Sequence, residues 1–224
     1  MRVAALITGG KDSTLALYRA LKQNHEVKCL VAMIPQREDS WMFHSVNIHL
    51  TDLFAKAVGI PLVKGKTAGV KETELKDLKD LLAALDVDGV VSGAILSRYQ
   101  KIRIDSICRE LNLEPITPLW HANPLKLLNE MISLEMQVMI VGVYAYGFDQ
   151  SWLGRQLDPT TITDLTTLNK KYQVSLVGEG GEYETLVLDA SFFEKRISVL
   201  ETEKVWEDHR GHMLVKKAEL TDKT

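Results

Sequence analysis

Residues 3–14 read VAALITGGKDST. Val3 to Thr8 is a short apolar run that stops at a glycine pair, the pattern of a fully buried strand. Leu15, Tyr18 and Leu21 then recur at helical spacing. A second apolar run, Glu26 to Ile34, is closed by Pro35. Strand, helix and strand in that order imply parallel strands joined by a right-handed crossover.

The alternation continues outward from this unit. Val46, Leu50, Leu53 and Ala57 mark a helix ending at Gly59, and residues 60–63 (IPLV) a short third strand. Leu75, Leu78, Leu82 and Leu85 form one face of a charged helix. Residues 88–95 (DGVVSGAI) give a fourth strand, Ser97 to Leu111 a helix, and Glu114 to Pro118 a fifth strand. This predicts a doubly wound parallel α/β sheet over residues 1–120. Residues 121–224 are less regular and predict a smaller C-terminal α+β domain. Asn123-Pro124 is a helix cap, Gln137 to Tyr146 a strand, Thr161 to Tyr172 a helix and Glu184 to Asp189 a strand. Ile197 to Val205 and His212 to Ala218 form a hairpin around residues 208–211.

Composition narrows the function. The 224 residues are 46% hydrophobic, enough for a real core, and no apolar stretch approaches bilayer length. The start of the chain lacks a signal-peptide pattern, so a cytoplasmic setting is expected. A net charge of −3, from 27 Lys+Arg against 30 Asp+Glu, makes nucleic acid an unfavoured partner. Cys29 and Cys108 have no metal or redox spacing and read as reduced core residues.

The glycine loop lies where a doubly wound sheet binds ligands, at the carboxyl end of a strand. Gly9 and Gly10 let the backbone approach an anion, helix-start amides point at it, and Thr8, Ser13 and Thr14 supply hydroxyls. Lys11 adds charge. The spacing fits neither the Walker loop, since Asp12 follows Gly10-Lys11, nor the three-glycine dinucleotide fingerprint. It resembles the SGGxDS loop of the N-type ATP pyrophosphatases, with Thr8 for the leading Ser. That resemblance implies an adenine nucleotide α-hydrolase-like sheet, and a loop that holds the departing pyrophosphate of ATP with Mg²⁺. Asp12 is the candidate metal ligand, with capping of the helix as its structural alternative.

Three more segments extend the likeness. SGAILSRYQKIR (residues 92–103), Pro118-Leu119-Trp120 and GEGGEYET (residues 178–185) together resemble the diphthine–ammonia ligase family, which amidates diphthine on translation elongation factor 2. On this reading Gly93 and Ala94 let the α-phosphate lie against backbone, Arg98 or Arg103 neutralises phosphate charge, and Tyr99 and Gln100 face the substrate. Residues 35–44 resemble the family's adenine-side loop, with adenine stacking near Ile34 and His44 in a family position. Glu179, Glu182 and Glu184 around Tyr183, with Thr185, suit recognition of a trimethylammonium group; Tyr144, Tyr146, Trp120 or Trp152 could complete an aromatic cage. Alternatively, one Glu holds Mg²⁺ or, as Glu182, takes a proton from the amine.

The family reaction implies a carboxylate attacking the α-phosphorus, release of pyrophosphate, and displacement of AMP by ammonia. Lys11, Asp12, Arg98, Arg103 and Glu182 are the catalytic candidates. Free ammonium is the expected nitrogen donor, because no glutaminase domain fits in the chain. A homodimer is left open. The rival readings are an ATP pyrophosphatase acting on another carboxylate or a tRNA base, and a non-catalytic adenine-nucleotide-binding module.

Overall fold

The computed structural model describes residues 1–35, 46–68 and 71–223, with backbone alone at 71 and 72. The apolar run before the glycines is β1 (Arg2–Leu6), and the residues after them form α1 (Lys11–Lys22). β2 (Glu26–Pro35) pairs parallel with β1, and α2 (Thr51–Val58) ends on Gly59 at φ 69°, the left-handed cap expected there. β3 (Leu62–Thr67), α3 (Lys71–Ala83), β4 (Gly89–Val91), α4 (Arg98–Glu110) and β5 (Glu114–Ile116) follow. The sheet order is β3-β2-β1-β4-β5 with every pairing parallel. Chain progression therefore reverses between β1 and β4, the switch point at which such sheets open a crevice.

Two strand expectations are corrected. β3 runs over 62–67 rather than 60–63. Pro61 has no amide to donate; its carbonyl accepts from Leu30, and the ladder carries on through Lys64-Gly65-Lys66. These are edge-strand residues with an exposed face, so no apolar run announced them. β4 stops at Val91, four residues short of the expected Ile95, because the chain leaves the sheet there to form one wall of the crevice.

The C-terminal half contains α5 (Pro124–Ser133), β6 (Gln137–Val143), α6 (Pro159–Tyr172), β7 (Tyr183–Asp189), β8 (Lys195–Glu207) and β9 (Arg210–Asp222). Its antiparallel sheet has the order β7-β6-β9-β8. Asn123 and Asp158 cap α5 and α6, and Pro124 and Pro159 begin them, as their fixed φ favours. The long β8–β9 hairpin turns at Asp208-His209, with Asp208 at φ 52°.

The expected boundary near residue 120 falls between β5 and α5, yet one apolar core crosses it. Val3, Leu15 and Leu17 share a cluster with Val138, Ile140 and Leu186. Phe54 of α2 meets Phe193 edge-on, with centroids 5.2 Å apart. Arg19 of α1 grips Glu130 of α5 with two nitrogens and donates to the Pro118 carbonyl. Each large apolar side chain so buried contributes roughly 1.5–3 kcal/mol, which makes the two halves mutually supporting. The opposite face of the parallel sheet has its own core, where Val31, Met33 and Val90 meet α3 and α4. Cys29 and Cys108 are both buried in it, and burial pushes the Cys108 thiol up to about 11.

Candidate active site

The glycine loop is held from the C-terminal half. Val187 of β7 donates its amide to the Gly9 carbonyl at 2.9 Å, and Thr185 Oγ1 accepts from the Lys11 amide at 3.1 Å. Gly9 sits at φ 83°, where a side chain would strain the backbone. Thr8 and Ser13 line a cleft of about 840 Å³ with Asp12. Gly10 occupies the cap position of α1 and supplies no side chain to close it. Thr185 takes the Lys11 amide, which leaves the amides of Asp12 and Ser13, two cleft-lining residues, and the dipole of α1 at the cleft, the arrangement that receives anions. Thr14 faces inward instead, its hydroxyl donating to the Gly10 carbonyl at 2.8 Å.

Lys11 lies elsewhere than the sequence suggested. It is 2% exposed, and its Nζ donates to the Val177 carbonyl at 2.5 Å and to Asp12 Oδ2 at 2.9 Å, 5.0 Å from the centre of the Tyr183 ring. It ties the loop to the turn before β7 and does not line the cleft. Asp12 does line it. Oδ2 is taken by Lys11, while Oδ1 is shielded and has no hydrogen-bond partner among the described residues. Burial pushes this carboxyl above its ordinary value; Lys11 opposes the shift and Glu179 adds to it.

One wall of the cleft is apolar, built from Leu6, Val31, Met33 and Ile104. Ile34 falls just outside it, because side chains alternate along β2 and the 31/33 face is the one turned inward. His44 lies outside the described residues. Gly93 and Ala94 line the cleft at the end of β4. A Cβ on Gly93 would stand 2.8 Å from the Asp12 carbonyl carbon and the Ser13 nitrogen. Its missing side chain thus lets β4 close on the first turn of α1.

GEGGEYET forms the opposite wall, and its carboxylates divide their labour. Glu179 accepts from the amides of Ile95, Leu96 and Ser97 at 2.5–2.8 Å, holding the entry to α4. Glu182 binds its own turn, accepting from Ser175 N at 3.1 Å and Gly180 N at 2.8 Å, and does not line the cleft. Glu184 lines it, and accepts from Val46 N at 3.1 Å. Tyr183 is 3% exposed, with its hydroxyl donated to the Leu176 carbonyl at 2.7 Å. Burial, with Asp12 and Glu182 nearby, holds that phenol well above its ordinary value. Tyr144 also lines the cleft; burial raises its phenol, and Glu184 adds to the effect. Of the other aromatics considered for a cage, Trp120 packs on His121, Trp152 on Phe148, and the 69% exposed Tyr146 on Tyr172. None of these lines the cleft.

α4 brings Tyr99 and Gln100 to the cleft. Arg103 stacks its guanidinium 3.4 Å from the centre of the Tyr99 ring and donates to the Tyr99 carbonyl, so it sets that ring rather than facing the opening. Arg98 is exposed at the first position of α4 and lies outside the lining. Ser92 and Ser97 line the cleft and were not singled out in the sequence. For Ser92 the neighbouring Gly93 was the available signal, and for Ser97 its place at the start of α4.

The described lining contains no Lys or Arg but includes Asp12, Glu179 and Glu184. A polyphosphate there needs a cation, and no group of three or more His, Cys, Asp or Glu suited to a metal occurs among the described residues. Mg²⁺ fits these terms, since it is ordinarily held by one or two carboxylates with the remaining positions filled by phosphate oxygens and water. Asp12 Oδ1 is the oxygen left for it.

The parallel sheet and its switch-point cleft define an α/β protein with an anion-receptive loop. The family model described as the diphthamide synthase N-terminal domain matches residues 1–115, and that for the diphthamide synthase C-terminal domain matches residues 123–221. Curated proteins named diphthine–ammonia ligase are similar along most of the chain. The one from Homo sapiens is 40% identical over 228 residues, 92% of this chain and 85% of that protein. The one from Danio rerio is 36% identical over 227 residues, 92% of this chain and 89% of that protein. The one from Saccharomyces cerevisiae is 34% identical over 231 residues, spanning 87% of this chain and 34% of that longer protein. The chain belongs to the diphthine–ammonia ligase (diphthamide synthase) family of ATP-dependent ligases. A solved structure described as a predicted subunit of tRNA methyltransferase from Methanocaldococcus jannaschii has 15% identity and a TM-score of 0.45, covering 85% of this chain and 97% of that one. Likeness at that distance says nothing of activity.

Proposed function

We propose that this chain activates the carboxylate of diphthine on translation elongation factor 2 with ATP and transfers ammonia to it, in the cytoplasm. The observation that carries the reading is the first turn of α1, with Asp12 and Ser13 lining the cleft at the switch point of the sheet and no side chain on its cap residue Gly10. Residues 1–120 hold the nucleotide, and residues 121–224 supply the acceptor side and steady the loop.

The apolar wall of Leu6, Val31, Met33 and Ile104 takes the adenine, and the first turn of α1 takes the outer phosphates. Asp12, through its unpartnered Oδ1, would hold Mg²⁺, which would supply charge to offset the departing pyrophosphate. The acceptor carboxylate oxygen attacks the α-phosphorus as the bond to the β-phosphate oxygen breaks, and pyrophosphate leaves with the electron pair. Ammonia then attacks the acyl carbon, AMP leaves, and the amide loses a proton. Glu184 lines the cleft and is the better-placed proton acceptor, while Glu182 is engaged with its own turn. Tyr144 offers an aromatic face to the trimethylammonium group, and Glu184 beside it offers the negative charge.

The test is product analysis with ATP, ammonium and diphthine-bearing elongation factor 2. AMP, pyrophosphate and amidated factor are expected. ADP in place of AMP overturns the mechanism. AMP formed only with a different acceptor overturns the substrate assignment, and tight ATP binding without turnover favours a binding module.

A further inference from the structure

Ser92 is a polar residue buried at the cleft with no evident internal job. It is 6% exposed, follows the last residue of β4 and lines the cleft between the apolar wall and the first turn of α1. Its amide extends the ladder, donating to the Ile116 carbonyl at 2.9 Å. Its Oγ is shielded and finds no hydrogen-bond partner among the described residues. Leaving a hydroxyl buried and unpaired costs stability, and replacing it with an apolar group is ordinarily neutral or better for the fold. Such an orphan is explained when a ligand supplies the missing partner.

Position states which part of the ligand that is. Val90 packs in the core with Val31, Met33 and Ile104, and alternation brings Ser92, two residues on, to the same face of the sheet. The next residue, Gly93, lies against the backbone of Asp12 and Ser13, where the outer phosphates are received. Between a base on the apolar wall and phosphates at α1 lies the inner phosphate.

We infer that Ser92 is a nucleotide-binding residue whose hydroxyl donates a hydrogen bond to the α-phosphate. This deepens the nucleotide reading of the cleft and rests on it. A donor there contacts the group at which bond exchange takes place, so it selects for nucleotides over nucleosides.

Ser92→Ala and Ser92→Cys are measured beside the parent chain, by thermal unfolding without ligand and by equilibrium binding of ATP, AMP and adenosine. Both variants are expected to unfold at or above the parent temperature, because no internal hydrogen bond is lost. ATP and AMP are expected to bind roughly tenfold more weakly or worse, as for a hydrogen bond to a charged acceptor, with adenosine unchanged. Parent-like affinity for ATP and AMP in both variants overturns the inference. So does equal weakening toward adenosine, which would place the hydroxyl on the ribose, and so does a marked loss of ligand-free stability, which would make Ser92 structural. Failure of the parent chain to bind ATP or AMP overturns the nucleotide reading itself, a separate outcome from the variant matching a parent that binds.

Discussion

Leu96 donates its backbone amide to both carboxylate oxygens of Glu179, at 2.6 and 2.5 Å. With Ile95 and Ser97 adding their amides, a side chain from the C-terminal half closes a concave backbone donor site in the N-terminal half. Glu179 therefore positions the wall carrying Tyr99 and Gln100 against the turn before β7. Glu179→Ala is expected to cost about 1.5–3 kcal/mol, the range for hydrogen bonds to charged groups. Urea unfolding measures the loss. Amidation should fall through both nucleotide and acceptor sites, whereas a pure substrate contact would leave stability unchanged.

Lys11 is engaged beneath the loop, so its loss is foremost a structural defect. Lys11→Met removes the donor to Val177 and strips Asp12 of its cation. A loss of about 1.5–3 kcal/mol is expected from the hydrogen bonds to a charged group alone. Thermal unfolding without nucleotide checks this. A parent-like melting temperature with abolished ATP binding would instead place the ammonium on phosphate.

Gly93→Ala tests the close approach of β4 to α1. The added methyl would stand 2.8 Å from backbone atoms of Asp12 and Ser13, which cannot rotate away as a side chain would. Overpacking of this kind costs about 1–3 kcal/mol. ATP affinity should fall with stability, because the same shift misdirects the first-turn amides. Calorimetric titration with ATP at a temperature where the variant is folded separates the two effects.

Asp158 caps α6 by accepting from the Thr161 amide at 2.6 Å, and that bond holds its carboxyl below the ordinary value. A depressed folded-state pKa means the contribution is present above the unfolded carboxylate value and lost as pH falls through the folded one. Asp158→Ala is therefore expected to cost about 1 kcal/mol at neutral pH, with the difference from the parent closing in acid. Urea unfolding at the two pH values reads it.

The five parallel strands, their helices and the loop between β1 and α1 were legible because each is local. Apolar runs of strand length, helical spacing and a glycine pair act within a dozen residues of one another. The caps at Asn123 and Gly59 belong to the same class. Edge strand β3 was misplaced because its second half is Lys64-Gly65-Lys66, with both lysines exposed and a glycine facing inward, so pairing with β2 rather than an apolar run defines it.

The site divides along the same line. Sequence alone determined that the Thr8–Thr14 loop begins a helix at the carboxyl end of a strand, and that GEGGEYET is an unusual carboxylate-rich turn. It could not say which carboxylate faces a ligand, because backbone amides from distant segments compete for them. Only the tertiary structure assigned Glu179 to the start of α4, Glu182 to its own turn and Glu184 to the cleft, and only it drew Lys11 under the loop toward Val177. Those partners are separated from their acceptors or donors by up to 166 residues, and satisfying buried donors is a constraint met in space rather than along the chain.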